Sequence, residues 1–233
     1  MPLAESRLRA LQVNLDTIRQ RMSAAAQRAG RAPSDVALLA VTKYVGPIEV
    51  EALAALGVGL FGENRVQEAS AKGSRRNGIA WHLIGHLQRN KARKAVALFD
   101  VIETVDSLRL ARALDDEAGR TGRRLPVLLE ANISGEGSKT GLPLEEIDEA
   151  YREMARMKNL DLRGVMGMAP PVRDAEEARP AFRMAREVRE RGRGISGLPL
   201  PELSIGMSQD FEVAIEEGAT IVRIGRALYE GVI

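Results

Sequence analysis

The sequence predicts a closed (β/α)8 barrel, also called a TIM barrel, with one extra helix before the first strand. Short apolar runs alternate with amphipathic helical patterns, which gives eight strand–helix units in about 200 residues. Repeated units of this kind require parallel strands joined by right-handed crossovers, and eight of them fit a compact barrel. A doubly wound open sheet is the alternative, but it usually has fewer units and a glycine-rich turn after the first strand, which this chain lacks.

The extra helix is predicted over residues 3–29, within an N-terminal segment 1–30 that we expect to pack on the barrel. Gly30 ends this helix and Pro33 follows it. Its apolar positions are three or four residues apart, at Leu8, Leu11, Leu15, Ile18 and Met22. The Gly/Pro-rich stretch 192–201 is interpreted as a local connection, so we expect residues 1–233 to form a single domain.

The other elements follow from the same patterns. The predicted strands are 36–42, 58–62, 80–85, 100–104, 125–132, 161–167, 202–205 and 220–224. The predicted helices are 47–56, 64–76, 90–98, 107–120, 144–158, 175–191, 209–217 and 226–231.

Composition excludes several classes of protein. The 233 residues are 45% hydrophobic and 28% charged, as in ordinary globular proteins. The net charge of +2 does not indicate a nucleic-acid partner, and the absence of cysteine excludes disulfides and thiolate sites. Because no apolar run reaches the length of a bilayer span, we expect a cytoplasmic protein without a membrane partner.

The almost unbroken apolar run 36–44 contains Lys43, in a chain whose positive charge comes mostly from arginine. Such a run is typical of a parallel strand covered on both faces. We expect a lysine at its C-terminal end to be partly withdrawn from water, which frees the amine to attack carbonyls and form a Schiff base. The alternative is an ordinary lysine that reaches water or pairs with Glu63 or Glu130.

The last two strands predict a phosphate site. Barrels of this type often bind phosphate between the loops after strands 7 and 8, where free backbone N–H groups begin a short helix. Gly206 and Gly225 would let the backbone approach an anion, Ser208 offers a hydroxyl, and Arg226 offers an amide and a charge. The alternative is that both glycines serve only as turn residues.

Arg223 lies within an apolar strand and therefore needs a partner. From the residues alone, an ion pair with a carboxylate on a neighbouring strand is the favoured interpretation, and a ring nitrogen of a bound cofactor is the other. Asn64 is interpreted as a helix N-cap and His82 as a hydrogen-bonded core residue, while His86 is given no role. The two histidines lack the spacing of a metal site.

Two further segments receive structural interpretations. The stretch 132–141 departs from the P-loop pattern, because Ser138 precedes Lys139, so we expect a mobile loop over the barrel mouth. The charge-rich helix around 183–193 is expected to be a solvated outer face.

Seven motifs taken together resemble the pyridoxal phosphate homeostasis proteins, a family similar to the barrel domain of alanine racemase. The resemblance covers nearly the whole chain. The motifs are AVTK, FGEN with VQE, WHLIGHLQRNK, NIS followed by KTG, LRGVMGM, SIGMSQD and VRIG.

The resemblance implies a fold-type III barrel that binds pyridoxal 5′-phosphate (PLP) as a Schiff base on Lys43. It implies that Ser208 and the amides of Gly225 and Arg226 hold the phosphate and that Arg223 faces the pyridine nitrogen. An arginine there leaves the ring a weaker electron sink than a carboxylate would. Asn64 and Met168 are expected to line the pocket.

The function implied is reversible holding of PLP for buffering or delivery within the cell, without robust catalysis. The racemases carry a second domain that supplies a tyrosine acid/base, and the sequence leaves no room for it after the eighth unit. A small racemase-like enzyme is the alternative, and an aldolase that uses Lys43 without a cofactor is a third hypothesis. PLP-dependent apo-enzymes are the expected partners, and a monomer is favoured.

Overall fold

The computed structural model describes residues 3–72, 78–134 and 140–233, and it contains a closed barrel of eight parallel strands in chain order. The last strand closes the barrel by pairing with the first, with Leu39 opposite Arg223. The predicted barrel is confirmed. The strands are β1 (Ala37–Val41), β2 (Leu60–Glu63), β3 (Ala80–Leu83), β4 (Val101–Val105), β5 (Leu125–Glu130), β6 (Leu160–Met166), β7 (Glu202–Ser204) and β8 (Ile221–Ile224).

Helices surround the barrel, because each crossover between parallel strands returns along its outside. They are α1 (Glu5–Arg28), α2 (Pro47–Ala55), α3 (Val66–Ala71), α4 (Ala92–Leu98), α5 (Leu108–Arg120), α6 (Ile147–Met154), α7 (Arg179–Ser196) and α8 (Phe211–Glu216). Short 3-10 turns occur at Pro33–Asp35, Arg89–Lys91, Ala175–Ala178 and Arg226–Leu228.

Helix α1 packs along the barrel and joins the two ends of the chain. Its buried residues Leu11, Leu15 and Ile18 belong to the main hydrophobic core. The side-chain amide of Asn14 donates hydrogen bonds of 3.0 and 2.9 Å to the carbonyl oxygens of Leu228 and Glu230. The N-terminal helix therefore supports the turn that follows β8.

Several of the predicted helices differ from the structure. The predicted helices 144–158 and 175–191 are observed as α6 (Ile147–Met154) and α7 (Arg179–Ser196), and the 3-10 turn Ala175–Ala178 precedes the latter. The expected helix 226–231 is only the 3-10 turn Arg226–Leu228. Helix α3 begins after Arg65, so Asn64 is not its N-cap as the sequence suggested. The backbone of Asn64 instead lies against Gly85, where an added Cβ would approach the Asn64 carbonyl oxygen to 2.3 Å.

The expectation of a solvated outer face around 183–193 is wrong in part. Arg189 is buried, and Arg183 and Arg186 pair with the buried carboxylate of Glu217 at 3.5 and 2.9 Å. Residues 135–139, half of the predicted mobile loop 132–141, lie outside the described residues. Within the described ranges, no helix combines the length and apolar character that crossing a membrane requires.

Candidate functional site

A cavity of about 310 Å³ opens at the C-terminal ends of β1 and β8, beside the segment that follows β7. This is the end of a parallel barrel at which ligands bind. Five of the predicted site residues line it together, namely Lys43, Ser208, Arg223, Gly225 and Arg226. Its other lining residues are Val41, Tyr44, Met207, Gln209 and Asp210.

The Lys43 side chain is exposed at the rim of this cavity. It lies two residues beyond β1, and its amine stands over the Tyr44 ring at 4.7 Å from the centroid. The expected partial withdrawal from water is therefore wrong for this conformation, because the strand ends before the lysine. The amine is accessible because Lys43 lies in the turn after β1 and not in the strand itself.

Neither carboxylate considered as a partner for Lys43 is bonded to it. Glu63 accepts hydrogen bonds from the Thr42 hydroxyl and, at 2.5 Å, from the Lys72 amine. Glu130 accepts one from the Thr140 hydroxyl at 2.6 Å. Burial raises the pKa of both carboxyl groups, although these hydrogen bonds oppose the shift.

The Lys72 amine also donates a 2.7 Å hydrogen bond to the Thr42 carbonyl oxygen. Glu63 and Lys72 thus form a buried ion pair directly under the turn that carries Lys43. An ion pair that is buried and also bonded to the backbone fixes the local geometry, since removing either partner leaves an uncompensated charge. These contacts hold Thr42, the residue before Lys43, in place.

The segments after β7 and β8 line the cavity with hydrogen-bond donors. The Ser208 hydroxyl oxygen accepts a 3.4 Å hydrogen bond from the Ala227 amide, which joins the segment after β7 to the turn after β8. That turn closes through a 2.9 Å bond from the Leu228 amide to the Gly225 carbonyl oxygen. Arg226 is exposed and lines the same cavity. A hydroxyl and a guanidinium in one cavity suit an anionic group.

The structure requires glycine at one of the two glycine positions of the predicted phosphate site more strictly than at the other. Gly206 has φ +89°, and an added Cβ would lie 2.5 Å from the Ala214 Cβ, so backbone conformation and packing both require glycine. Gly225 has φ −121°, and its added Cβ would meet the Val41 Cβ at 3.4 Å. The turn-residue alternative therefore fits Gly206, whereas Gly225 is the glycine that lines the cavity.

Asp210 is a cavity residue that the sequence interpretation missed. Its carboxylate accepts a 2.6 Å hydrogen bond from the Met207 amide and so closes the segment after β7. Burial raises the pKa of this carboxyl, with the Met207 hydrogen bond and the charge of Arg223 opposing the shift. The signal was present in the sequence, because Asp210 immediately precedes α8, where such residues are favoured.

Arg223 forms the buried floor of the cavity. Its guanidinium donates to the Ser204 carbonyl oxygen at 2.6 Å, to the Ser204 hydroxyl oxygen at 2.8 Å and to the Gly167 carbonyl oxygen at 2.9 Å. The expected direct ion pair is wrong as far as the described ranges show. The carboxylate of Glu103 is reached through Ser204, whose hydroxyl donates to it at 2.6 Å.

His82 lies at the far end of this series of buried hydrogen bonds, which runs from Arg223 through Ser204 and Glu103. Its Nδ1 atom is 2.6 Å from the second oxygen of Glu103, so the interpretation of His82 as a hydrogen-bonded core residue is confirmed. Burial alone would raise the pKa of Glu103, but its hydrogen bond to His82 and the charges of His82 and Arg223 outweigh burial and lower it. Glu103 is accordingly a buried anion facing the buried cation Arg223.

Asn64 and Met168 are not among the residues that line this cavity. Asn64 lines a neighbouring cavity of about 630 Å³ together with His86 and Lys91. Met168 is half-buried just beyond β6. His86 is exposed, with its Nδ1 atom 2.9 Å from an Asp106 carboxylate oxygen.

The barrel and its cavity indicate a class of protein: a (β/α)8 barrel with an accessible amine and anion-binding groups in one cavity at its mouth. An amine attacks carbonyl carbons, and the hydroxyl and guanidinium suit an anion. The ligand class that this arrangement fits is a carbonyl compound that also carries an anionic group.

Comparison with known proteins agrees with this class. Residues 13–231 match the family model for the alanine racemase N-terminal domain. The pyridoxal phosphate homeostasis protein of Escherichia coli K12 is 40% identical over 223 residues, which cover 93% of this chain and 94% of that protein. The chain therefore belongs to the family of pyridoxal phosphate homeostasis proteins.

Two solved structures extend the comparison. PipY of Synechococcus elongatus, solved with PLP bound, is 37% identical, has a TM-score of 0.79 and matches 91% of this chain and 99% of its own. An alanine racemase of Clostridium difficile 630 has a TM-score of 0.73 at 15% identity and is covered over 56% of its length. At that identity the racemase shows the fold alone.

Proposed function

We propose that this protein binds PLP through Lys43 and holds it reversibly, as part of PLP homeostasis in the cell. The observation that carries the proposal is that the Lys43 amine shares one cavity with Ser208 and Arg226. The PLP bound to the similar PipY and the name of the Escherichia coli relative support it.

The residues present fit the cofactor. PLP supplies an aldehyde carbon that condenses reversibly with amines, and Lys43 offers an amine that the described part of the chain does not hold in an ion pair. Ser208, Arg226 and the backbone at Gly225 would receive the phosphate, and Arg223 would face the pyridine ring. We keep Asn64 and Met168 as outer contacts of the cofactor, since each follows a strand of the same barrel mouth.

We further propose that the protein has no robust catalysis of its own. A guanidinium opposite the ring nitrogen donates hydrogen bonds without giving up a proton, which leaves the ring a weak electron sink. Of the tyrosines, Tyr151 and Tyr229 are buried and Tyr44 is exposed on the same turn as Lys43. None of them stands across the cavity from Lys43 as a second acid.

A racemase-like enzyme is the second candidate, and Asp210 is the observation that favours it. This carboxyl lines the cavity with a raised pKa, which suits proton transfer. PLP-dependent exchange of an amino acid's α-proton with solvent, at enzyme-like rates and lost in Lys43→Ala, would establish the enzyme. Exchange no faster than that of PLP free in solution is expected for the carrier.

The proposed attachment of PLP to Lys43 is tested by the near-ultraviolet and visible absorption of the purified protein incubated with PLP. Wild type is expected to show a cofactor band that borohydride converts to a stable adduct on Lys43, and Lys43→Ala is expected to lack both. Lys91→Ala is the matched control, because Lys91 lines the neighbouring cavity. A wild-type protein that stays colourless would remove both PLP hypotheses and leave the cofactor-free aldolase.

The remaining expectations belong to the same proposal: a single-domain monomer in the cytoplasm that passes PLP to PLP-dependent apo-enzymes. Light scattering of the loaded protein tests the monomer. Reactivation of an apo-enzyme by the loaded protein, in the presence of a trap for free PLP, tests direct delivery. Reactivation that the trap abolishes would mean release into solution.

A further inference from the structure

A chain of four buried polar side chains crosses the barrel interior and ends at the floor of the cavity. His82 on β3, Glu103 on β4, Ser204 on β7 and Arg223 on β8 are each at most 5% exposed. The links between them are 2.6, 2.6 and 2.8 Å long. Burying four polar side chains is costly unless every link is made, so the chain has a specific geometry to maintain.

The direction of each hydrogen bond follows from the chemistry of the groups. A guanidinium only donates, so the Ser204 oxygen must accept from Arg223. The single hydroxyl proton of Ser204 is then directed to Glu103, which must be an acceptor. The remaining Glu103 oxygen accepts from His82, which places a proton on Nδ1. The ionised Glu103 thereby orients the Ser204 lone pairs toward Arg223.

The hydrogen bonds that Arg223 makes within the protein leave some of its N–H donors for a ligand. Its bonds to Ser204 and Gly167 use three of the five guanidinium N–H groups, counting every partner in residues 3–72, 78–134 and 140–233. Arg223 also lines the cavity. A guanidinium held on one side by fixed acceptors presents its other donors without losing further side-chain entropy on binding.

We propose that Glu103 and Ser204 are positioning residues for Arg223, and that through them the chain from His82 fixes the guanidinium that meets the pyridine nitrogen of bound PLP. This inference rests on the proposed PLP binding. It assigns the positioning of Arg223, which itself lines the cavity, to residues that do not line it.

The test compares PLP with an analogue in which C–H replaces the ring nitrogen, using dissociation constants from absorption titrations. Ser204→Ala removes the hydroxyl that joins Arg223 to Glu103. Glu103→Gln removes the negative charge but keeps an oxygen that accepts from Ser204. Its NH2 group can donate to His82 in the tautomer whose Nδ1 is unprotonated. Both variants are expected to weaken PLP binding by about 3- to 10-fold, the worth of one hydrogen bond. Binding of the analogue is expected to change less than about twofold, because it has no ring nitrogen.

Glu217→Gln is the matched control, since it removes a buried carboxylate that pairs with arginines outside this cavity. It should leave the ratio of the two dissociation constants unchanged. Equal loss for PLP and analogue in Ser204→Ala, or no loss for either, would overturn the proposal and leave PLP binding intact. If Glu103→Gln does not fold, Ser204→Ala decides alone. Wild type that binds neither ligand would overturn the proposed function together with this inference.

Discussion

Asp210 places a carboxyl group in a cavity whose other polar side chains favour an anion. Its fixed role is structural, because it accepts the Met207 amide and closes the turn before α8. Burial raises its pKa, so the folded state binds this proton more tightly than the unfolded state does. Stability should therefore fall as the pH rises from the ordinary aspartate value through the raised one.

Asp210→Asn keeps an oxygen for the Met207 amide and removes the titration. Relative to wild type, its free energy of unfolding is expected to increase as the pH rises from about 3.5 to about 7. Urea unfolding at a series of pH values measures this difference. Asp210→Ala, which also loses the hydrogen bond, should be less stable than Asp210→Asn throughout. Parallel pH profiles of wild type and Asp210→Asn would show that the carboxyl is not perturbed.

The connections after β7 and β8 line the same cavity, but their backbones are fixed by different means. The first depends on Gly206, whose φ is positive and which is packed against α8, and the second on the 3-10 turn Arg226–Leu228 that follows Gly225. A side chain at Gly206 would have to move α8, whereas one at Gly225 would meet Val41 at an ordinary distance.

Gly206→Ala is therefore expected to lower the free energy of unfolding by at least about 2 kcal/mol, from backbone strain and the contact with Ala214. Gly225→Ala should cost less than about 1 kcal/mol, since the added Cβ would meet the Val41 side chain at an ordinary contact distance. Thermal or urea unfolding of the two variants provides the comparison. Similar losses in both would mean that the packing against α8 adjusts easily.

The elements themselves were largely predictable, and the reason is physical. A parallel strand buried on both faces appears as a continuous apolar run, and every predicted strand lies within two residues of the observed bounds. Errors arose where a distant contact decides the local structure. Asn64 does not cap α3 because its backbone is held against Gly85, which belongs to another connection.

The candidate site was predictable only in part for the same reason. Lys43 and the residues after β7 and β8 follow strand ends, and the strand ends of a barrel meet at one mouth. The hydrogen-bonded series of His82, Glu103 and Ser204 forms only because these side chains, on different strands, all point into the barrel. Chain order does not contain that information, so the supports of Arg223 emerged only from the closed barrel.

Helix α1 connects the start of the polypeptide to a turn that lines the cavity. Its Asn14 side chain holds the carbonyl oxygens of Leu228 and Glu230, and Leu228 belongs to the turn that also contains Arg226. The geometry of the anion-binding edge thus depends on a helix that begins far from it in sequence.

Asn14→Ala is expected to lower the free energy of unfolding by about 1–2 kcal/mol through the loss of two hydrogen bonds. It should also weaken PLP binding, because the turn with Arg226 loses its support. Val13→Ala is the control: this neighbour is 57% exposed, and its substitution should change stability by less than about 0.5 kcal/mol. Unfolding and PLP titration of both variants supply the data, and unchanged binding in Asn14→Ala would separate α1 from the site.

The exposure of Lys43 has a kinetic consequence. A cofactor anchored to a buried amine leaves no faster than the protein opens, so its escape rate reaches a ceiling. An anchor at an open rim can be approached directly by a competing amine from solution, and the escape rate then rises in proportion to the concentration of that amine. Under the proposed attachment of PLP to Lys43, the time for which PLP is retained would depend on the concentration of competing amines, including the lysine of a proposed apo-enzyme partner.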